Sequence, residues 1–386
     1  MDSSDSAVSS DGTALETALA ECLESKSGTS PNYRQNFERV VGAWIDFCDR
    51  KDVATLEAVS KRTMNQYSAH LARRIEAGNS DNVDGGISAT TAWTYYDYVS
   101  AFLSWAVRHE YLAENPADKA VARESLPDRP SSGEYDRQYW QPEQRKTVVD
   151  FVRRRVDSAY QDPIAPTPIL HKRLRDRALV ATIAYSGVRG GEVLKDPNDS
   201  RRTGLRWSHV DFEEGVAWIL GKNQDTEPAQ FPEQVTDPLE RWYEAYDPPS
   251  DDWPVFPSMH VPTLSRRIAD ALGGDERDRR TADRHHWTVA LEAGVEPTSI
   301  TTEGVRSLMK RLSAVAEVPG LDLEAGEYLT LHGARRGVGE FLYRNVSHEQ
   351  AQRTLRHADP QTTSEMYSHI DASELADDNT EAFDRE

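Results

Sequence analysis

Four side chains near the end of the 386-residue chain have the types and spacing to act together: His332, Arg335, His357 and Tyr367. Thr330 predicts the N-cap of a helix carrying Val338, Phe341 and Leu342 at helical spacing. That helix sets His332 and Arg335 three positions apart on one face, close enough to share a ligand. A second helix is predicted after Ser347, with Gln350 as its capping-box partner, ending at Leu355-Arg356-His357. Asp359 and Pro360 then read as the cap and first position of a short helix containing Tyr367. An arginine gives planar, two-pronged hydrogen bonds at any working pH, and a histidine donates bonds or moves protons near neutrality. A tyrosine oxygen becomes a nucleophile when cations lower its pKa from about 10 or a base takes its proton. Singly, each residue is ordinary, since one tyrosine among 15 is most often core or surface; order and spacing carry the reading.

The order H-x-x-R, L-x-H, T-T-x-x-x-Y-x-H, with 22 positions from Arg335 to His357 and 10 from His357 to Tyr367, resembles the C-terminal half of the tyrosine recombinase (phage integrase) family. Within that family the pattern resembles Xer-like and viral integrases. Upstream, the apolar helix of L-R-D-R-A-L-V-A-T-I-A-Y-S-G-V-R-G-G-E-V-L runs into Gly187, a natural C-cap, and Arg189 follows. This is similar to the family's first arginine box, in which the arginine points at the scissile phosphate and a glutamate three residues on, here Glu192, braces it. Gly190 and Gly191 depart from the larger residues usual there. Residues 204–221 alternate as β-strands around a turn at Glu213 to Gly215, so a small antiparallel sheet is predicted. Lys222 follows directly, where relatives carry a lysine at a hairpin tip that reaches into the minor groove. Asp225 and Glu227 stand where the family usually has further basic residues.

The resemblance implies a site-specific recombinase or integrase whose catalytic set is Arg189, Lys222, His332, Arg335, His357 and the nucleophile Tyr367, with Glu192 behind them. In-line attack on a phosphodiester loads charge onto its non-bridging oxygens, which two fixed guanidiniums stabilise. Lys222 would protonate the departing 5′ oxygen, and a 3′-phosphotyrosyl bond would conserve the energy of the cut strand. Neither metal, ATP nor another cofactor is then required. The implied partner is double-stranded DNA, bound by a homotetramer on paired sites, with no small-molecule substrate. Two other readings remain: an inactive DNA-binding accessory protein on the same fold, and a topoisomerase-like nicking-closing enzyme.

The elements that must position this set divide the chain. Residues 1–29, rich in Ser, Asp and Ala with a weak pattern at Leu15, Leu19 and Leu23, read as a mobile acidic lead-in. Residues 30–116 read as a helical bundle: one helix from Ser30-Pro31, one from about Ser60, and one capped at Ser88 that continues toward Tyr111-Leu112 and stops at Asn115-Pro116. This bundle resembles the family's core-binding, SAM-like domain, which clamps one face of the duplex; Arg73, Arg74 and Arg108 are then candidate phosphate contacts. Residues 117–138 read as a linker. Residues 139–370 form the catalytic domain, and 371–386 an acidic tail. Within 237–329 helices are predicted at 265–272 and 303–316, separated by a charged, solvated loop; the adjacent His285 and His286 do not make a metal site. The expected fold class is mainly α in two domains, the second an α-rich DNA breaking-rejoining fold with a small antiparallel β-sheet.

The net charge is -20, although DNA-binding surfaces are usually basic. Residues 1–25 hold six acids and no Lys or Arg, and 371–386 hold seven acids and one Arg, which leaves -8 for the rest. Nine lysines against 36 arginines, with this acidity, suggest the cytoplasm of a halophile, where high net charge keeps proteins soluble. Cys22 and Cys48 have neither zinc nor disulfide spacing, and no apolar run approaches the roughly 18 residues of a membrane span. A cytoplasmic protein with no membrane partner is expected.

Overall fold

The computed structural model describes residues 12–78, 85–130, 138–162, 167–221, 225–324 and 326–356. It divides into two compact units, Met1–Gly133 and Glu134–Glu386.

The first unit packs α1 (Leu15–Ser25), α2 (Pro31–Asp49), α3 (Lys61–Gly78) and α4 (Ala89–Arg108) around an aromatic core that includes Phe37, Trp44, Tyr67, Tyr96 and Phe102. The expected mobile lead-in is instead a helix from Leu15 onward. Leu15, Ala18, Leu19, Cys22 and Leu23 are buried, the small Ala18 and Cys22 completing a stripe that leucines alone under-represent. Leu56 N–H donates to the Thr13 carbonyl at 2.8 Å, which ties the entry of α1 to the α2–α3 connection. Ser88 caps α4 as expected, its Oγ accepting from Thr91 N at 3.1 Å. The helix stops at Arg108 and does not reach Tyr111, because Glu110 turns left-handed (φ 64°) and Tyr111 N returns to the Ala106 carbonyl. The first part of the expected linker also belongs to this unit. Ala117, Ala122 and Leu126 are buried in its core, Tyr96 Oη donates to the Ala117 carbonyl, and Arg129 makes two bonds to Asp97. Burial pushes the Cys22 thiol up to about 11 and Cys48 up to about 12, so both remain inert thiols.

The second unit is built on α6 (Thr167–Tyr185), which is buried almost all round and packed by α5 (Pro142–Gln161), α8 (Glu233–Tyr246) and α13 (Leu331–Asn345). After α7 (Gly190–Val193) comes a three-stranded antiparallel sheet, β1 (Val210–Asp211), β2 (Val216–Leu220) and β3 (Thr226–Gln230), in that order. Gly215 makes the predicted turn with φ 61°. Thr226-Glu227-Pro228-Ala229-Gln230 gives no strand signal in sequence, and β3 is an edge strand in which Pro228 loses no ladder bond to a further neighbour. The segment that was hardest to read supplies α9 (Val261–Leu272), α10 (Gly274–Thr281), α11 (His286–Glu292) and α12 (Thr302–Val315). Trp242 and Trp287 both stack on Tyr246, and Trp287 Nε1 donates to His171 Nδ1, whose pKa burial lowers. The charged run expected as a loop is the helix α10, in which Glu276 pairs with Arg279 and Arg280 on its own surface. His285 caps α11 by accepting from Trp287 N.

The last described helices are α13 and α14 (His348–Leu355), capped by Thr330 and Ser347 through Gly333 N and Gln350 N as their sequences predict. The entry segment Gln138–Trp140 is fastened across the start of α13. Gln138 Oε1 accepts from both Thr330 N and Oγ1, Trp140 Nε1 donates to the Thr330 carbonyl, and Trp140 N donates to that of Gly333. This approach requires glycines on one helix face: a Cβ at Gly333 would lie 2.5 Å from Gln138 Oε1, and one at Gly337 2.6 Å from the Trp140 carbonyl oxygen. Gly42, in the middle of α2, has open space instead. Gly337→Ala is therefore expected to destabilise by about 1–3 kcal/mol through overpacking, and Gly42→Ala to stabilise by about 0.5–1 kcal/mol through chain entropy and helix propensity. Thermal unfolding of the two variants checks this, and a Gly337→Ala protein as stable as the parent would contradict the packing described.

Candidate active site

Arg189 stands where the sequence places it, two residues beyond left-handed Gly187 (φ 65°) and capping α7. Its backbone N–H donates to Glu192 Oε2 at 2.7 Å and its Nη1 to Glu192 Oε1 at 2.8 Å. The Glu192 side chain is 1 % exposed and that of Arg189 33 %, so a buried carboxylate anchors an arginine whose guanidinium reaches the surface. The unusual glycine at 190 has a steric reason. A Cβ there would lie 2.7 Å from Leu331 Cδ2, so glycine lets the first turn of α13, which carries the exposed His332, pack onto the arginine box.

Arg335, on the same helix face as His332, is 4 % exposed. Its Nη1 donates to the Gly187 carbonyl and its Nη2 to that of Leu355. Two of the five guanidinium donors thus tie the end of α6 to the end of α14. Arg356, the C-cap of α14, is left-handed (φ 51°, ψ 50°), and its side chain is 8 % exposed. Its Nη2 donates to Glu192 Oε2 at 2.5 Å, and its Nη1 to the Thr354 carbonyl at 3.1 Å. One carboxylate therefore serves two guanidiniums, from segments 164 positions apart in the case of Arg356. Arg202 closes the next gap: its Nη1 donates to the carbonyls of Gly191 and Leu220 and its Nη2 to that of Gly221, joining α7 to the end of β2.

The structure brings Arg189, Glu192 and Arg335 together, with His332 three positions before Arg335 on α13, and adds Arg202 and Arg356 to what the sequence singled out. Lys222, His357 and Tyr367 lie outside the described residues, though Gly221 and Arg356, which precede two of them in the chain, both adjoin the arginine box. Among the described residues no group of three His, Cys, Asp or Glu is placed to hold a metal ion, and no helix is long and apolar enough to cross a membrane. In the first unit the candidate phosphate contacts do not form one patch. Arg74 donates to the Gly85 carbonyl and sits over Tyr95 at the start of α4, with Arg73 exposed beside it. Arg108 ends α4, roughly 20 Å along the helix from Tyr95 at 1.5 Å per residue.

The phage integrase family matches residues 168–374, and the phage integrase SAM-like domain matches residues 15–121. Tyrosine recombinase XerC of Xylella fastidiosa (strain 9a5c) is 25 % identical over 245 residues, 64 % of this chain and 69 % of that protein. The Tn1549 transposon integrase, solved in complex with circular intermediate DNA, superposes with a TM-score of 0.55 at 13 % identity, over 92 % of this chain and 95 % of that one. XerH site-specific recombinase in a post-cleavage complex on palindromic difH substrate gives a TM-score of 0.55 at 13 % identity, over 96 % and 97 %. The fold is that of these proteins.

The shared carboxylate yields a direct expectation. Glu192→Gln keeps the shape but removes the charge that two guanidiniums share, one of them buried, at a cost of about 3–5 kcal/mol. Denaturant unfolding measures it; a loss below about 1 kcal/mol, the scale of a surface pair, would show that Glu192 does not hold the two arginines.

Proposed function

The chain belongs to the phage integrase family of tyrosine recombinases, and from that premise we propose that it is a site-specific DNA recombinase or integrase that cuts and rejoins strands through a covalent 3′-phosphotyrosyl intermediate. The observation that carries the proposal is the convergence of the two arginine boxes: Arg335 binds the carbonyl of Gly187, two residues before Arg189, and also that of Leu355, two before His357. A scissile phosphate at this point meets guanidiniums fixed before it arrives, so charge developing on its oxygens is stabilised without reorganisation. His332 and His357 donate further bonds or move protons, Tyr367 attacks phosphorus, and Lys222 protonates the departing 5′ oxygen. No metal and no nucleotide takes part. The first unit acts as the core-binding domain, residues 139–370 as the catalytic domain, and four copies assemble on paired sites in the cytoplasm.

The test uses a nicked duplex bearing the sequence that the protein enriches from a random-sequence pool, so that the cut strand diffuses away and the adduct accumulates. Tyr367→Phe is expected to abolish the adduct while leaving affinity for the duplex nearly unchanged, because one attacking oxygen is lost. Arg189→Lys and Arg335→Lys are expected to lose most of the capture, a point charge being unable to make the two-pronged contact. Trapped adduct with Phe at 367, or loss of capture on adding EDTA, would overturn the mechanism.

A further inference from the structure

Glu227 is an acid in a stretch that follows Lys222 and would face DNA, where its charge opposes binding. Its carboxylate lies instead along the backbone: a Cβ on Gly221 would sit 2.6 Å from Glu227 Oε1. Glu227 Oε2 is 3.8 Å from Nε of Arg356, a buried nitrogen with no hydrogen-bond acceptor among the described residues. The same guanidinium donates to Glu192. One cation thus faces two carboxylates. The first is on α7 and holds Arg189; the second is on β3 and lies against the residue preceding Lys222. Gly221 and Asp225, the described residues on either side of Lys222, are themselves joined, Gly221 N donating to the Asp225 carbonyl at 2.8 Å, while Arg202 holds the Gly221 carbonyl. A left-handed backbone at 356 is easiest for glycine, so an arginine there carries a conformational cost that its side-chain contacts offset.

We propose that Arg356 and Glu227 are positioning residues that fix Gly221 and Asp225, the described residues on either side of Lys222, to the arginine box, so that the proton donor and Arg189 act on one phosphate. This rests on the reading of Lys222 given above. In that step the Tyr367 oxygen bonds to phosphorus as its proton passes to His332 or His357, the bond from phosphorus to the 5′ oxygen breaks, and the departing oxygen takes the electron pair and a proton from Lys222. Sulphur in place of the 5′ bridging oxygen leaves as a thiolate, with a conjugate-acid pKa of about 8.5, and requires no proton. Such a substrate separates a misplaced proton donor from a damaged phosphate site.

The experiment measures single-turnover capture of the nicked duplex, with oxygen or sulphur at the bridging position, by the full-length protein and its Lys222→Ala, Glu227→Gln and Arg356→Lys variants. With oxygen, Lys222→Ala is expected to be slower by about a hundredfold or more, the share of a general acid. Glu227→Gln and Arg356→Lys are expected to be slower by about tenfold, the effect of a displaced group, with unchanged affinity for the duplex. With sulphur all three are expected to return to within about threefold of the parent, since no proton has to be delivered. Wild-type rate for Glu227→Gln on the oxygen duplex overturns the inference. So does a deficit of the two positioning variants that persists with sulphur, or a Lys222→Ala protein that sulphur does not rescue. Should Arg356→Lys fail to fold on thermal melting, Glu227→Gln decides alone, because Gln preserves the shape of a part-exposed side chain. A wild-type protein that captures neither duplex removes the proposed function and this inference together. Normal capture with an unaffected Glu227→Gln removes this inference alone.

Discussion

Glu192, with 1 % of its side chain exposed, is shared by two arginines and one backbone N–H, partners that offset the cost of burying a carboxylate. The order of the surrounding site depends on that arrangement. Arg189 is held at its backbone and its guanidinium by the same residue, so its direction is set before any ligand is present. Arg356 brings the end of α14 to the same point, and Arg335 joins that end to α6 through two carbonyls. Three segments remote in sequence are thereby fixed by charge-assisted bonds in a buried setting, where such bonds are strong and their loss is costly.

The packing around these bonds is selected for closeness. Glycines at 190, 333 and 337 stand where a Cβ would collide with Leu331, Gln138 or Trp140, and they let α13 approach both the arginine box and the entry segment of its own unit. The second unit also contains an aromatic stack of Trp242, Tyr246 and Trp287, on which the N-terminal half of α6 rests through His171. α6 is thus held at both ends, by the stack at one and by Arg335 at the other. Arg189, proposed above to meet the scissile phosphate, follows directly on a helix so held.

Local signals were legible in the sequence and long-range pairings were not. Thr330, Ser347 and Ser88 cap the helices they precede because a cap is decided within three residues, and Gly187 is left-handed because no other residue is as easily so. The stripe on α1 was under-read because Ala18 and Cys22 contribute burial with little hydrophobic signal, and β3 because its strand state comes from pairing with β2. Gln138 meets its partner Tyr328 across 190 positions, and Arg356 meets Glu192 across 164; nothing in a window of sequence links such residues. The acidic Glu227, which sat poorly with a DNA-facing hairpin, becomes intelligible once Arg356 is seen on the other side of it. Lys222, His357 and Tyr367 rest on motif order alone, since they lie outside the described residues.

The central claim is that this assembly of guanidiniums directs one tyrosine at one phosphate. Tandem mass spectrometry of the proteolysed, nuclease-trimmed adduct tests it most directly, because it reads the covalent bond and the residue that bears it. The account predicts a single peptide carrying a nucleotide 3′-phosphate on Tyr367. Modification of any other residue, or a linkage to the 5′ side of the break, would contradict it.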